Sequence, residues 1–329
     1  MQYKIFQLRF KSPLHLSDIR SDYGKSERML HSDTLTAAIM QTWAMLGKSE
    51  WISKDYGFTV SSLFPFTTDI QNQIVYFLPK PYIGLNIPKE STDPSLAKIA
   101  KKVNFLAIDY FQKALNQELV EVPTEHYQGV YLSAQEIDKN FLLSDVRVRI
   151  RQPRKDAEDA EPFYMEQLIF KENSGLWGMV CFENEAAEKR FSIALDILQD
   201  AGLGTDRNIG QGQFCFDWDN TTELGFNTNI EKYGICLSLF CPADHQQLCE
   251  MLPDEAQYET IKRGGWISEP HNTFRKKSVM MFREGSVFKM AKPASNIVGN
   301  VVNLQPDILK EHPIWRSGKA IFLPINWQK

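Results

Sequence analysis

No stretch of this chain is long and apolar enough to cross a bilayer as a helix, which takes about 20 consecutive apolar residues. The opening segment, MQYKIFQLRF, lacks the apolar core and small-residue cleavage site of a signal peptide and reads as a strand, so a cytoplasmic protein is expected. Cysteine is scarce and poorly spaced. Cys181, Cys215, Cys236, Cys241 and Cys249 form no Cys-x-x-Cys pair, and several sit in apolar strand-like runs as small buried hydrophobes. The 6 histidines are scattered, so local spacing builds no zinc site. Asp33, Asp145 and Asp206 stand alone in sequence, without the paired carboxylates of a two-metal enzyme. No metal or other cofactor is expected. Charge of one sign is also missing in bulk: 37 Lys and Arg stand against 41 Asp and Glu, a net charge of −4. That excludes a chain coated in basic residues but not nucleic-acid binding, because local potential matters more than the sum and the basic residues are bunched.

What is present is an ordinary globular composition, 43% hydrophobic and 24% charged, over 329 residues, enough for two domains. Tyr3–Phe10 alternates like a strand, and Lys11–Leu30 reads as a loop. Ser32 or Asp33 caps a helix whose apolar face is Leu35, Ile39, Trp43 and Leu46, stopped by Gly47. The prolines of Leu63–Phe66 and Val75–Pro81 argue against uninterrupted central strands. An amphipathic helix is expected at about Asn104–Leu119. Asp145–Lys155 and Met165–Lys171 outline a long hairpin with a charged tip, Leu176–Phe182 is a further strand, and Glu183–Asp200 is a helix. Asn220–Glu231 is polar and marks a boundary between domains at 1–220 and 221–329. Beyond it, Tyr233–Cys241, Tyr258–Ser268, Thr273–Phe282, Gly285–Met290 and Gly318–Ile325 read as β structure, with a short helix at Asp244–Met251. The fold class is α+β. The first half follows the split β-α-β-β-α-β plan with insertions, and the second is a helix-poor version of it.

Ala201–Phe214, AGLGTDRNIGQGQF, is the most informative stretch. Gly202, Gly204, Gly210 and Gly212 interleave with Thr205, Asp206, Arg207 and Asn208 between a helix and the strand Gln213–Trp218. Glycines allow φ > 0 and close backbone approach, and such a loop presents N–H groups to a phosphate. It is not a Walker A loop, having no Gly-Lys-Ser/Thr and closing a helix instead of opening one. It is not a dinucleotide fingerprint, because Arg207 occupies the third glycine position and the element order is reversed. A helix cap explains one such glycine but not four.

Basic residues gather elsewhere too. Arg147, Arg149 and Arg151 alternate with Val148 and Ile150, so in a strand they share one face. The bland reading is a solvated edge strand; the row of arginines favours a phosphate-facing strip. Arg20, Lys25 and Arg28 precede the first helix, and Arg275, Lys276 and Lys277 lie in the second half. Tyr3 and Phe6 are possible stacking aromatics, but they point to opposite faces of one strand. His31 is the one histidine placed for acid–base work, at a helix N-terminus, with no partner visible nearby.

HSDTL (31–35), LFPF (63–66), FLPKP (77–81), GLGTDRNIGQGQF (202–214), RKKSVMMFREGS (275–286) and HPIWRSGKA (312–320) stand in an order that resembles the fourth subunit of type III-A (Csm) CRISPR effector complexes, in the RAMP superfamily. The resemblance spans nearly the whole chain. It implies two ferredoxin-like (RRM-like) domains and a non-catalytic subunit, not an enzyme. Such a subunit holds the repeat-derived 5′ tag of CRISPR RNA beside the large signalling and nuclease subunit and contacts the first backbone subunit. Carried onto this chain, the RNA-binding loop is Gly202–Gly212, and a guide-kinking hairpin runs from about Arg147 to Phe170, with Arg154 near its tip. His31 and Ser32 of HSDTL are further expected contacts. The alternative is a metal-independent endoribonuclease of the same superfamily with His31 as acid or base, and a protein scaffold without RNA contact is a third reading.

Overall fold

The computed structural model describes residues 3–17, 23–87, 94–151, 160–252, 256–267, 271, 273–291 and 295–327. In chain order the first part contains β1 (Lys4–Phe10), α1 (Ser32–Met45), β2 (Phe58–Val60), β3 (Phe64–Thr68), β4 (Ile74–Pro79), α2 (Pro94–Lys102), β5 (Phe105–Ala107), α3 (Ile108–Asn116), β6 (Tyr127–Gln128), β7 (Tyr131–Leu132), β8 (Leu142–Arg151), β9 (Glu161–Phe170), β10 (Gly175–Phe182), α4 (Glu185–Ala201) and β11 (Phe214–Asp219). The second contains β12 (Tyr233–Cys236), α5 (His245–Met251), β13 (Thr260–Arg263), β14 (Val279–Phe282), β15 (Val287–Lys289), β16 (Ile297–Val298), β17 (Val301–Asn303), β18 (Trp315–Ser317) and β19 (Ala320–Ile325).

A nine-stranded sheet runs β11-β1-β10-β3-β4-β5-β7-β6, with β2 also pairing β10. A second sheet runs β15-β12-β19-β16, and β8–β9, β13–β14 and β17–β18 form separate ribbons. The architecture is mixed α+β, with few helices. β1 is central because its apolar residues serve the core: Phe6 and Leu8 are wholly buried, and Phe6 meets Phe191 of α4 edge-on at 5.6 Å. Gln7 lies on the opposite face and is also buried, bonded to the hydroxyl of Tyr76. Phe6 is thus a core residue and not a stacking platform, and Tyr3 packs at the margin of the same core. Helix α4 is capped by Asn184, whose side chain accepts from the Ala187 N–H at 2.9 Å. It buries Ala187, Phe191, Ala194, Leu195 and Leu198, an i, i+4, i+7 stripe.

Several expectations are corrected. The N-cap of α1 is His31, not Ser32 or Asp33, and no side chain caps this end. Leu46 is 41% exposed, outside the buried Leu35, Ile39 and Trp43 stripe, because α1 ends at Met45. β3 and β4 are interior strands despite their prolines. Pairing between them starts only at Phe66, and Pro79 ends β4, so neither ring falls where a two-sided ladder demands its N–H. The expected helix at Asn104–Leu119 is split into β5 and α3, since Phe105–Ala107 is buried between β4 and β7. Residues 220–231 carry no regular element, yet Leu224 and Phe226 are buried, with Phe226 5.9 Å from Phe111. The largest apolar cluster runs through both parts of the chain, from Ile5 to Ile235, Ile321 and Ile325.

Candidate nucleic-acid interface

The glycine loop leaves α4 at Gly202 and is stitched into a margin of the fold. Leu203 N–H donates to Gly212 O (3.0 Å), Thr205 N–H to His15 O (3.1 Å) and Gly212 N–H to Pro13 O (2.9 Å). Three of its glycines are demanded by crowding. A Cβ at Gly202 would lie 2.3 Å from Gln211 O, at Gly204 2.5 Å from His15 O, and at Gly212 1.9 Å from Leu203 O. Gly210 differs: its φ is +80° and nothing lies within 4 Å of a Cβ there. Asn208, Ile209 and Gly210 form the exposed tip. The N–H groups of Gly204, Asp206, Arg207 and Asn208 have no hydrogen-bond partner among the described residues. The loop therefore offers N–H groups to an anion, fewer than its glycine count suggested.

The hairpin β8–β9 stands beside this loop. Leu168 exchanges both backbone bonds with Leu14 (2.7 and 2.8 Å). His15 Nδ1–H donates to Glu166 O at 2.7 Å, taking the place of the next ladder donor. Buried polar atoms remain here without partners among the described residues: His15 Nε2 and both amide atoms of Gln167. Arg149 reaches the loop directly, its Nη1 donating to Asp206 Oδ2. Both side chains are about a quarter exposed, 26% and 23%. Asp206 is in the left-handed region, φ +64°, which Asp tolerates better than most residues. Arg207 turns away, donating to Gln41 Oε1 of α1 at 3.3 Å.

The arginine row is less free than the sequence suggested. Arg147 Nε donates to Asp145 on the same strand face at 2.8 Å, and Arg149 is held by Asp206; Arg151 is exposed. The opposite face carries the exposed apolar residues: Val146 (53%), Val148 (61%), Ile150 (64%) and, across from Val148, Tyr164 (62%). The alternation that aligned the arginines contained this stripe too. Arg20 and Arg154 lie outside the described residues. Lys25 is exposed, and the next residue, Ser26, donates its N–H to Glu166 of the hairpin. Arg28 is elsewhere, beside the Tyr131 hydroxyl, whose pKa burial pushes up to about 12 against the pull of that guanidinium.

His31 and Ser32 are buried at the contact between the two parts of the chain. His31 Nδ1 donates to Glu284 Oε1 (2.9 Å), Ser62 Oγ donates to the same oxygen, and Ser32 Oγ accepts from Leu239 N–H (3.0 Å). The acid–base partner that sequence spacing did not reveal for His31 is thus Glu284. Asp33, wholly buried, receives Arg263 Nε (2.9 Å) and Nη2 (3.1 Å) and Arg316 Nη1 (2.8 Å). Burial alone would raise the pKa of Asp33, but the charges of Arg263 and Arg316 outweigh it and hold the carboxyl well below the usual range. Glu284 follows the same pattern: burial raises it, and His31 and the hydroxyl bond bring it below its ordinary value. FLPKP meets the same junction, since Tyr82 N–H donates to Gly285 O at 3.0 Å. The HSDTL, FLPKP, REGS and WRSGKA segments thus converge as an internal junction. Arg275 lies over the Trp266 ring at 4.8 Å, Lys277 pairs with Asp307 at 2.7 Å, and Lys276 N–H donates to Gly265 O at 2.9 Å.

The chain matches known proteins over its whole length. Residues 229–325 match the family model of the CRISPR Csm4 C-terminal domain. The Csm4 protein of Methanocaldococcus jannaschii is 20% identical over 99% of this chain and 98% of its own, and that of Streptococcus thermophilus is 24% identical over 99% and 100%. Among solved structures, a Csm3–Csm4 subcomplex of the type III-A interference complex aligns at a TM-score of 0.64, with 20% identity, over 98% of this chain and 99% of that one. A Csm1–Csm4 cassette in complex with pppApA aligns at 0.60, with 17% identity, over 100% of both. The fold is that of the Csm4 chains in these CRISPR complexes. Residues 229–325 belong to the CRISPR Csm4 C-terminal domain family, and the whole chain is similar to Csm4 proteins of type III-A systems.

Proposed function

We propose that this chain is the RNA-binding, non-catalytic subunit that holds the 5′ tag of CRISPR RNA in a cytoplasmic type III-A effector serving antiviral defence. The observation that carries the reading is the glycine loop: N–H groups of Gly204, Asp206, Arg207 and Asn208 lie without partners among the described residues, with Arg149 beside them. A strand of RNA held by backbone contacts needs such donors together with nearby cations. The order β11-β1-β10-β3, with α1 and α4 in the two crossovers, supports a ferredoxin-like unit within 1–220, and the sheet β15-β12-β19-β16 supports a reduced counterpart within 221–329. The exposed apolar face of β8–β9 suits a wedge against guide bases, with Arg151 and Lys25 at its border. The solved relatives pair Csm4 with Csm3 and with Csm1. We assign the same two neighbours to this chain, a backbone subunit and a large signalling and nuclease subunit.

His31 supports the non-catalytic reading, because it is buried and engaged with Glu284 instead of facing a groove. The test is recovery of RNA with the affinity-purified chain, followed by sequencing. Short RNAs sharing one repeat-derived 5′ end are expected. RNA with random ends, or none, overturns the reading. Cleavage of repeat RNA that His31→Ala abolishes favours the endoribonuclease instead.

A further inference from the structure

The same loop contains a group that opposes its proposed ligand. Asp206 places a carboxylate among the unpartnered N–H groups, and that carboxylate holds Arg149, which the hairpin brings from 57 residues away. We propose that Asp206 is an internal stand-in for an RNA phosphate: it occupies Arg149 in the free chain and is displaced when a backbone phosphate enters the loop.

Three observations support the exchange. Asp206 immediately precedes the short 3-10 turn Arg207–Ile209, so its side chain stands beside the open N–H groups of the loop. The pair is partly exposed, at 26% and 23%, so a phosphate can reach Arg149 without unfolding anything. The backbone of Asp206 is anchored independently of its carboxylate, since its carbonyl accepts from Ile209 N–H (3.1 Å) and Gln211 N–H (3.3 Å). The loop therefore keeps its shape when the side chain lets go. Release of Arg149 removes this ion pair between hairpin and loop, while the bonds of Leu168 to Leu14 keep the hairpin in place.

This inference rests on the reading that the loop takes RNA backbone, and the two fail separately. The probe is a single-stranded RNA carrying the repeat-derived 5′ tag, titrated onto the full chain at several salt concentrations. If the wild-type chain does not bind it, the reading of the loop fails. If it binds, Asp206→Asn, which keeps a side chain tolerant of the left-handed region, is expected to bind about 5-fold tighter, the weight of a partly exposed ion pair. The salt dependence should steepen by up to about 0.7 in log–log slope, one further phosphate neutralised. Glu188→Gln removes a charge paired with Lys4 (2.5 Å) near the far end of α4, roughly 20 Å away. It should leave affinity unchanged. In an Arg149→Ala background the gain from Asp206→Asn should shrink below about 2-fold, because no cation remains to be freed. Equal gains with and without Arg149 overturn the exchange, as does an Asp206→Asn chain of native circular dichroism that binds no tighter than wild type.

Discussion

Replacing Asp33 by Ala tests whether the internal junction holds the two parts of the chain together. Asp33 is 0% exposed, and Arg263 and Arg316, whose guanidiniums converge on it, are 8% and 7% exposed. Truncation removes the carboxylate on which two buried guanidiniums converge. Breaking a buried ion pair in this way costs about 3–5 kcal/mol. For a chain of this size that corresponds to a fall in Tm of roughly 4–7 °C. The sign with pH is fixed by the depressed pKa values of Asp33 and Glu284. Their contribution is complete above the ordinary carboxylate value, near about 4, and is lost as pH falls through the folded-state value. The stability gap between wild type and Asp33→Ala should therefore be flat from about pH 5 to pH 8 and narrow below. Urea unfolding followed by tryptophan fluorescence reads it, since Trp43 and Trp315 lie in the elements that meet here. Asp33→Asn, which keeps an oxygen acceptor, should lose less. A loss below about 1 kcal/mol, or a gap that does not narrow in acid, refutes the reasoning.

Other expectations can be checked on the same preparations. Gly210→Asp should weaken binding of tagged RNA about 10-fold at low salt, while Gly210→Asn, with the same backbone demand at φ +80° but no charge, should change it less than about 3-fold; equal effects would make the loop tip irrelevant to phosphate. Gly212→Ala should cost at least about 2 kcal/mol in thermal unfolding, because its Cβ would sit 1.9 Å from Leu203 O, and a native Tm contradicts the crowding argument. Val148→Lys with Ile150→Lys should shift stability by no more than about 0.5 kcal/mol, both being more than half exposed. The same double variant should lower incorporation into the effector or relax the guide beside the tag, read by chemical probing of RNA in the purified complex. Wild-type behaviour in both assays would leave this face without a role.

Elements whose identity is local were legible in the sequence. The stripe Ala187, Phe191, Ala194, Leu195 and Leu198 has helical period, and a helix was read there to within a residue or two of its ends. The alternation in Arg147–Arg151 made a strand, and the glycines of 202–212 marked a loop with positive φ. Short elements were misjudged where burial overrode pattern. Phe105–Ala107 was read into a helix because its residues suit either state, and insertion between β4 and β7 decided for a strand. Pro65 and Pro79 look like breakers in the sequence, which does not show which side of a strand is paired.

The sequence alone determined where glycines permit a turn, where apolar residues repeat at 3.6 or 2, and which motifs stand in which order. Those properties depend on neighbours a few residues apart, and they sufficed for the α+β class and for the resemblance. Tertiary structure decided what each charged residue does. Asp206 meets Arg149 across 57 residues, His31 meets Glu284 across 253, and Asp33 meets Arg263 across 230. No spacing rule encodes such pairs. They exist because the strand order brings distant segments together, and because a carboxylate left without a partner when the core closes costs more than the ordering needed to pair it. The HSDTL motif shows the division most clearly. Its residues were legible as a helix start, but only the packing of α1 against β13, β18 and the turn at Glu284 made them a buried junction.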